Sequence, residues 1–173
     1  VRPTVIFGEG NRGNVFNLFK QIASEKFLMV GSGRNKKSMA YIGNVVPFIL
    51  ECIKTDLKYS IFNYVDTPCQ DMNTLVSDVK HKLGKRKSIR LRLPVWLGLM
   101  LGYIADFAVK ISGRRLPISS IRVKKFCASS DFSSNKNSLN GFSQPYSLSE
   151  GISRTLKTEF LDPSPDQEIF HTE

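Results

Sequence analysis

Val1-Arg2-Pro3-Thr4-Val5-Ile6-Phe7-Gly8-Glu9-Gly10-Asn11-Arg12-Gly13 opens the chain and decides how the rest is read. Residues 1–7 are rich in β-branched and aromatic types without a hydrophilic lead-in, the composition of a strand already under way. A terminal strand cannot satisfy its backbone alone, so it is expected to pair within a sheet whose other strands lie elsewhere. That expectation makes the chain a C-terminal piece of something longer. A glycine-rich turn follows. An amphipathic helix near 14–24 comes next, with Phe16, Phe19, Ile22 and Ala23 on one face.

Further along, Phe27 to Val30 is a short apolar run leading into the polar loop Gly31 to Lys37, and Met39 to Ile42 reads as extended. Asn44 is placed to cap a helix reaching Ile53, with Pro47 tolerated in its first turn. Tyr59 to Val65 reads as a strand. Met72, Leu75, Val76, Val79 and Leu83 form the stripe of a helix over 71–83, capped by Asp71 and closed by Gly84. A basic connector leads to an apolar helix over 94–111, closed by Gly113, and a shorter helix is expected over 117–126. Ser147-Leu148-Ser149-Glu150 is a capping box, and Leu148, Ile152, Leu156 and Phe160 form the stripe behind it. The acidic, proline-containing tail 161–173 is expected to be disordered, leaving residues 1–160 as the folded unit.

The 173 residues carry 25 Lys+Arg against 15 Asp+Glu, a net charge of +10, with an ordinary 41% hydrophobic content that excludes wholesale disorder. Cys52, Cys69 and Cys127 lack metal-site spacing and read as structural thiols. His81 and His171 lack the partners of a triad or a metal centre, so no catalytic residue and no metal site is assigned. Gly8-x-Gly10-x-x-Gly13 matches a dinucleotide fingerprint, and Arg34 would then meet a 2′-phosphate. Too few β-α units follow for a complete nucleotide-binding sheet, so the stretch is read as a turn feeding a helix N-terminus, a good seat for an anion.

The cluster Lys80, Lys82, Lys85, Arg86, Lys87, Arg90 and Arg92 is read first as a solvated face. Beside the apolar helix, it is also a candidate for peripheral contact with anionic lipid through segment 80–92 and helix 94–111. No aromatic residues interleave with the charges, so nucleic acid is excluded as a partner.

Several landmarks together carry a family resemblance. Arg2-Pro3-Thr4-Val5-Ile6-Phe7-Gly8-Glu9-Gly10 resembles the Arg-Pro-x-x-Val-Tyr-Gly-Pro-Gly segment of extended short-chain dehydrogenase/reductases, the NAD-dependent sugar-nucleotide epimerases and dehydratases. Gly31-Ser32-Gly33 through Asn44-Val45 is similar to their Gly-Asp-Gly-x-x-x-Arg-Asp-Phe-Val-Tyr-Val-Asp-Asp-Val stretch. Ile61-Phe62-Asn63-Tyr64 resembles their Phe-Asn-x-Gly strand, and Gly141-Phe142 through Gly151 resembles their terminal signature. UDP-sugar 4-epimerase-like enzymes of surface-polysaccharide pathways are the most similar group.

The resemblance implies an α/β fold: the C-terminal part of a Rossmann-type extended short-chain dehydrogenase, mostly helical with a few short strands. It implies that the hydride chemistry resides in a preceding half, so residues 1–173 alone are expected to be inactive. NAD is the implied cofactor, with NADP left open, and a nucleotide-diphosphate sugar is the implied partner. A homodimer and a cytoplasmic location, at the inner membrane face, go with it. Pro3 and Thr4 are placed beside the nicotinamide, Val5 beside the sugar, and Asn14 on the diphosphate. Phe27, Leu28, Met29 and Val30 are placed along the uracil slot. Lys37 stands where the family has a diphosphate arginine, and Arg122, with Arg115 as rival, is the second such cation. Ser38 and Gly43-Asn44 depart from the family pattern. A reductase of the same superfamily and a non-catalytic membrane-associated module remain as alternatives.

Overall fold

A computed structural model of the chain describes residues 1–173 except 56–58, 86–90, 114–118, 135–138, 140, 141, 166 and 171–173. Arg86, Lys87, Arg90, Arg115, Gly141, His171 and the start of the helix expected over 117–126 lie outside the described residues.

The opening stretch is a two-part strand, β1 (Arg2–Pro3) and β2 (Val5–Phe7), and it pairs on a parallel pattern throughout. β1 lies against β6 (Asn63–Tyr64), while β2 lies against β5 (Met39–Tyr41). The amide of Thr4 still bonds to the Tyr64 carbonyl at 3.0 Å, and the amide of Asp66 bonds to the Met39 carbonyl at 2.9 Å. β5 therefore enters a fork between β2 and the continuation of β6. Parallel strands require crossovers, which α1 (Asn14–Ala23) and α2 (Ile42–Lys54) help supply.

Alternation along β5 divides the apolar residues between two cores. Met39 and Tyr41 face Phe7, Phe19 and Ile22 with the stripe of α3 (Met72–Lys82) and of α6 (Leu148–Leu156). Ala40 faces Val45, Phe48, Phe62 and Tyr64. α6 approaches β5 so closely that a Cβ at Gly151 would lie 2.7 Å from the Tyr41 ring.

The expected caps form. Asp71 accepts from the Thr74 amide, Ser147 and Glu150 make the capping box, and Gly84 and Gly113 close their helices. The structure adds to this reading at three places. α2 starts at Ile42, so Asn44 is inside it; fully buried, its amide clamps the Tyr146 backbone with bonds of 2.8 and 2.9 Å. Two short strand pairs went unread: β3 (Met29–Val30) with β8 (Arg92–Leu93), parallel, and β4 (Lys36–Lys37) with β7 (Gln70–Asp71), antiparallel. Finally, the tail does not leave the surface at Leu161. A wide π-helical turn, Lys157–Leu161, extends α6, and Phe170 docks backbone to backbone on Gly10 and Arg12. α4 (Val95–Ser112) and α5 (Ser120–Cys127) form a hairpin against β3 and β8.

Candidate functional site

Pro3, the last residue of β1, and Thr4, between β1 and β2, line an open cleft of about 350 Å³ with Arg2, Asn63, Tyr64, Phe132 and Ser133. The Thr4 hydroxyl is buried with no hydrogen-bond partner among the described residues. Val5, one residue on, is 48% exposed at the edge of β2.

From β2 the chain turns through Gly8–Gly13 into α1. Gly10 has φ of +78°, and a Cβ there would lie 2.7 Å from the Glu168 carbonyl oxygen, so tail and turn meet only because this residue is glycine. The Gly10 amide donates to the Glu159 carboxylate at 2.7 Å, and the other oxygen of Glu159 sits 3.0 Å from the Arg12 guanidinium. Arg12 in turn lies 4.4 Å over the Phe16 ring. These contacts fix where α1 begins. Its first residue, Asn14, is exposed, and no side chain caps this terminus, so no side-chain acceptor offsets the positive end of the helix dipole there.

Lys37 sits on β4. Its ammonium donates to the carbonyls of Lys125 (2.8 Å) and Ala128 (2.6 Å), so it caps the C-terminus of α5. Partial burial draws its pKa below the ordinary lysine value. Asn35 donates to the Phe126 carbonyl from the same loop, and Lys36 pairs with Asp131 at 2.8 Å. Arg122 lies in the first turn of α5, exposed, three and six residues before the carbonyls that Lys37 holds. The fold thus brings Lys37 and Arg122 to one helix, while Asn14 reaches solvent from α1. Phe27 packs on Phe126 with ring centroids 6.1 Å apart, Leu28 is exposed, Val30 is half-buried, and Met29 is a core side chain. Of the four, Met29 is the one wholly taken up by the fold, its side chain buried and its amide bonded to the Leu91 carbonyl.

Other polar residues in the site area escaped sequence reading. Asp66, 1% exposed, accepts from the Tyr41 amide (2.8 Å) and the Tyr64 hydroxyl (3.1 Å). The Tyr41 hydroxyl donates to Glu9 at 2.8 Å. Burial first, and then the neighbouring carboxylate, raises the pKa of both tyrosines, so at neutral pH they are donors. Glu159 left one signal: it stands on the buried side of α6's extension, three residues after Leu156. No cluster of three metal-ligating side chains occurs among the described residues.

Comparison with known proteins fixes the context of this arrangement. Over its whole length the chain is 50% identical to the N-acetyl-α-D-glucosaminyl-diphospho-ditrans,octacis-undecaprenol 4-epimerase of Escherichia coli O157:H7, of which it covers 52%. It is 26% identical over 163 residues to the UDP-glucose 4-epimerase of Vibrio cholerae, covering 45% of that protein. The solved UDP-glucose 4-epimerase of Thermotoga maritima superposes with a TM-score of 0.58 at 16% identity, over 90% of this chain and 43% of that one.

The chain is similar along its whole length to part of a 4-epimerase, and its fold is that of part of a solved UDP-glucose 4-epimerase. It spans about half the length of the curated relatives it matches. No family model matches it. The solved UDP-N-acetylglucosamine 4-epimerase of Bacillus cereus also superposes, with a TM-score of 0.58 at 12% identity over 89% of this chain and 43% of that one.

Proposed function

We propose that this chain is the substrate-gripping portion of an NAD-dependent 4-epimerase whose sugar is carried on a diphosphate, working in surface-polysaccharide assembly at the cytoplasmic face of the membrane. What supports the reading most is identity of 50% along the entire chain with a 4-epimerase of a diphospho-undecaprenol-linked sugar. NAD, when bound, would supply reversible hydride transfer at the sugar carbon. In this reading the residues of this chain bind and orient. Thr4 offers its unpartnered hydroxyl beside Pro3 in the cleft that would face the nicotinamide. Asn14 and the first amides of α1 receive the diphosphate, with Lys37 and Arg122 as flanking cations. Lysine supplies charge without the two-pronged geometry of arginine, which suits a looser grip on the phosphate pair.

The relative's carrier favours a polyprenol over a nucleotide for this chain. The test is to incubate the intact protein and NAD with N-acetylglucosaminyl diphosphoundecaprenol in detergent, and separately with UDP-N-acetylglucosamine. Chromatography of the released sugars then follows the epimer. At least tenfold higher kcat/KM on the lipid-linked sugar is expected. A preference for the nucleotide would overturn the carrier assignment, and conversion of neither would overturn the epimerase reading.

A further inference from the structure

We propose that the α4–α5 hairpin is a membrane-docking surface, laid flat on an anionic bilayer. α4 has 18 residues, about 27 Å of helix, with a mean hydropathy of 1.4 and only 11% of its residues buried. The side turned to the protein is narrow and carries Gly98 and Gly102. A Cβ on Gly102 would meet the Ser120 backbone at 2.7 Å, and one on Gly98 would meet the Val30 side chain at 2.8 Å. The opposite side holds Trp96 (67% exposed), Met100, Tyr103, Ile104, Phe107 (66%) and Ile111 (73%), which follow one another at helical spacing. Water is a poor neighbour for so continuous an apolar strip.

Charge identifies what covers it. Residues 80–125 hold 13 of the 25 Lys+Arg and one of the 15 Asp+Glu, while the remainder of the chain has 12 basic against 14 acidic residues. The one acid, Asp106, is turned inward, accepting from the Ser120 amide at 3.1 Å. Lys110 and Lys124 border the strip, Lys124 lying 5.5 Å over the Tyr103 ring, and Lys125 follows on α5; all three are exposed. An apolar face rimmed by lysine and free of acid complements an anionic lipid surface. By contrast, the exposed apolar residues of α2, Val46, Ile49, Leu50 and Ile53, share that helix with both Glu51 and Lys54 and show no such charge pattern. In segment 80–92, Lys82 is paired with Asp78, Lys85 with Glu25, and Arg92 is bonded to Ser32 and Asn73, so these three cations serve the fold.

Trp96 is the single tryptophan of the chain and lies in the strip, so it reports contact directly. Its emission, isolated as the difference between the intact protein and its Trp96→Phe variant, is followed on titration with vesicles of phosphatidylcholine and phosphatidylglycerol (7:3) and of phosphatidylcholine alone. Anionic vesicles should shift the emission to the blue, and brominated acyl chains should quench it. Each lysine contributes about fivefold, so Lys110→Glu/Lys124→Glu/Lys125→Glu should weaken partitioning on the order of a hundredfold. Phe107→Gln/Ile111→Gln should weaken it at least tenfold; both substitutions are at exposed positions, and circular dichroism verifies the fold. Emission already blue without lipid and unmoved by it would mean that protein covers the face, whether the rest of the polypeptide or a second copy, and would overturn the proposal. So would equal binding by the glutamine variant. Turnover is not a readout, so failure here leaves the epimerase reading untouched.

Discussion

Replacing Glu159 by alanine should loosen the turn that sets the start of α1. The carboxylate is 6% exposed and holds three partners: the Gly10 amide at 2.7 Å, the Arg12 guanidinium at 3.0 Å and the Gln167 amide at 2.6 Å. Breaking a buried ion pair by removing one member costs about 3–5 kcal/mol, and an orphaned buried amide about 1–3 kcal/mol. The Arg12 side chain keeps 26% exposure and can rehydrate, which moves the sum to roughly 4 kcal/mol. That corresponds to a fall of about 10 °C in the unfolding midpoint of the domain. Calorimetry gives the midpoint, and hydrogen exchange followed by mass spectrometry gives the protection of Gly8–Asn14. Glu159→Gln keeps an acceptor for Gly10 but loses the charge, so about half the effect is expected. A midpoint within 2 °C of the parent for Glu159→Ala, with protection at Gly10 unchanged, would refute the reasoning.

Lys37→Ala in the intact protein should weaken binding of the diphosphate sugar tenfold or more while leaving NAD binding within twofold; equal losses in parallel titrations would remove Lys37 from the substrate side. Gly102→Val drives a branched side chain into the Ser120 backbone, so it should separate α5 from α4 and destabilise by about 1–3 kcal/mol, whereas Met100→Val on the outer face should change stability by less than about 1 kcal/mol in denaturant titrations. Asp71 and Glu150 have pKa values lowered chiefly by hydrogen bonds, from Thr74 and Ser147 respectively. Their contribution is complete above the unfolded values of 3.8 and 4.5 and is lost as pH falls through the lower folded values. Asp71→Asn/Glu150→Gln should therefore flatten the stability–pH curve below pH ~4.5, and an unchanged acid slope would count against it.

Much of the fold was legible because its signals are local. The opening strand, the α3 stripe with its Asp71 cap and the Ser147–Glu150 box each declare themselves within a few residues. What escaped depends on distant partners. β3, β4, β7 and β8 have two residues each, too few for a period, and they exist because a strand some 33 to 63 positions away pairs with them. Lys37 reads as a loop charge in sequence; that it caps α5 follows from residues 88 and 91 positions later. The tail's composition suggested disorder, yet Gly10, a residue with φ of +78°, lets Glu168 and Phe170 approach its backbone. Of the proposed site, Asn14 was readable as a helix start, whereas the unpartnered Thr4 hydroxyl and the buried Asp66 became visible only with the fork of β2, β5 and β6 assembled.

The claim at the centre of the account is that these residues grip a diphosphate. Titrating the intact protein calorimetrically with a prenyl diphosphate N-acetylglucosamine and with the matching monophosphate isolates the second phosphate while the carrier stays the same. The account predicts at least tenfold tighter binding of the diphosphate, worth about 1.4 kcal/mol, and collapse of that difference in the Asn14→Ala/Lys37→Ala variant. Equal affinities in the parent protein, or a preference that survives in the variant, would contradict it.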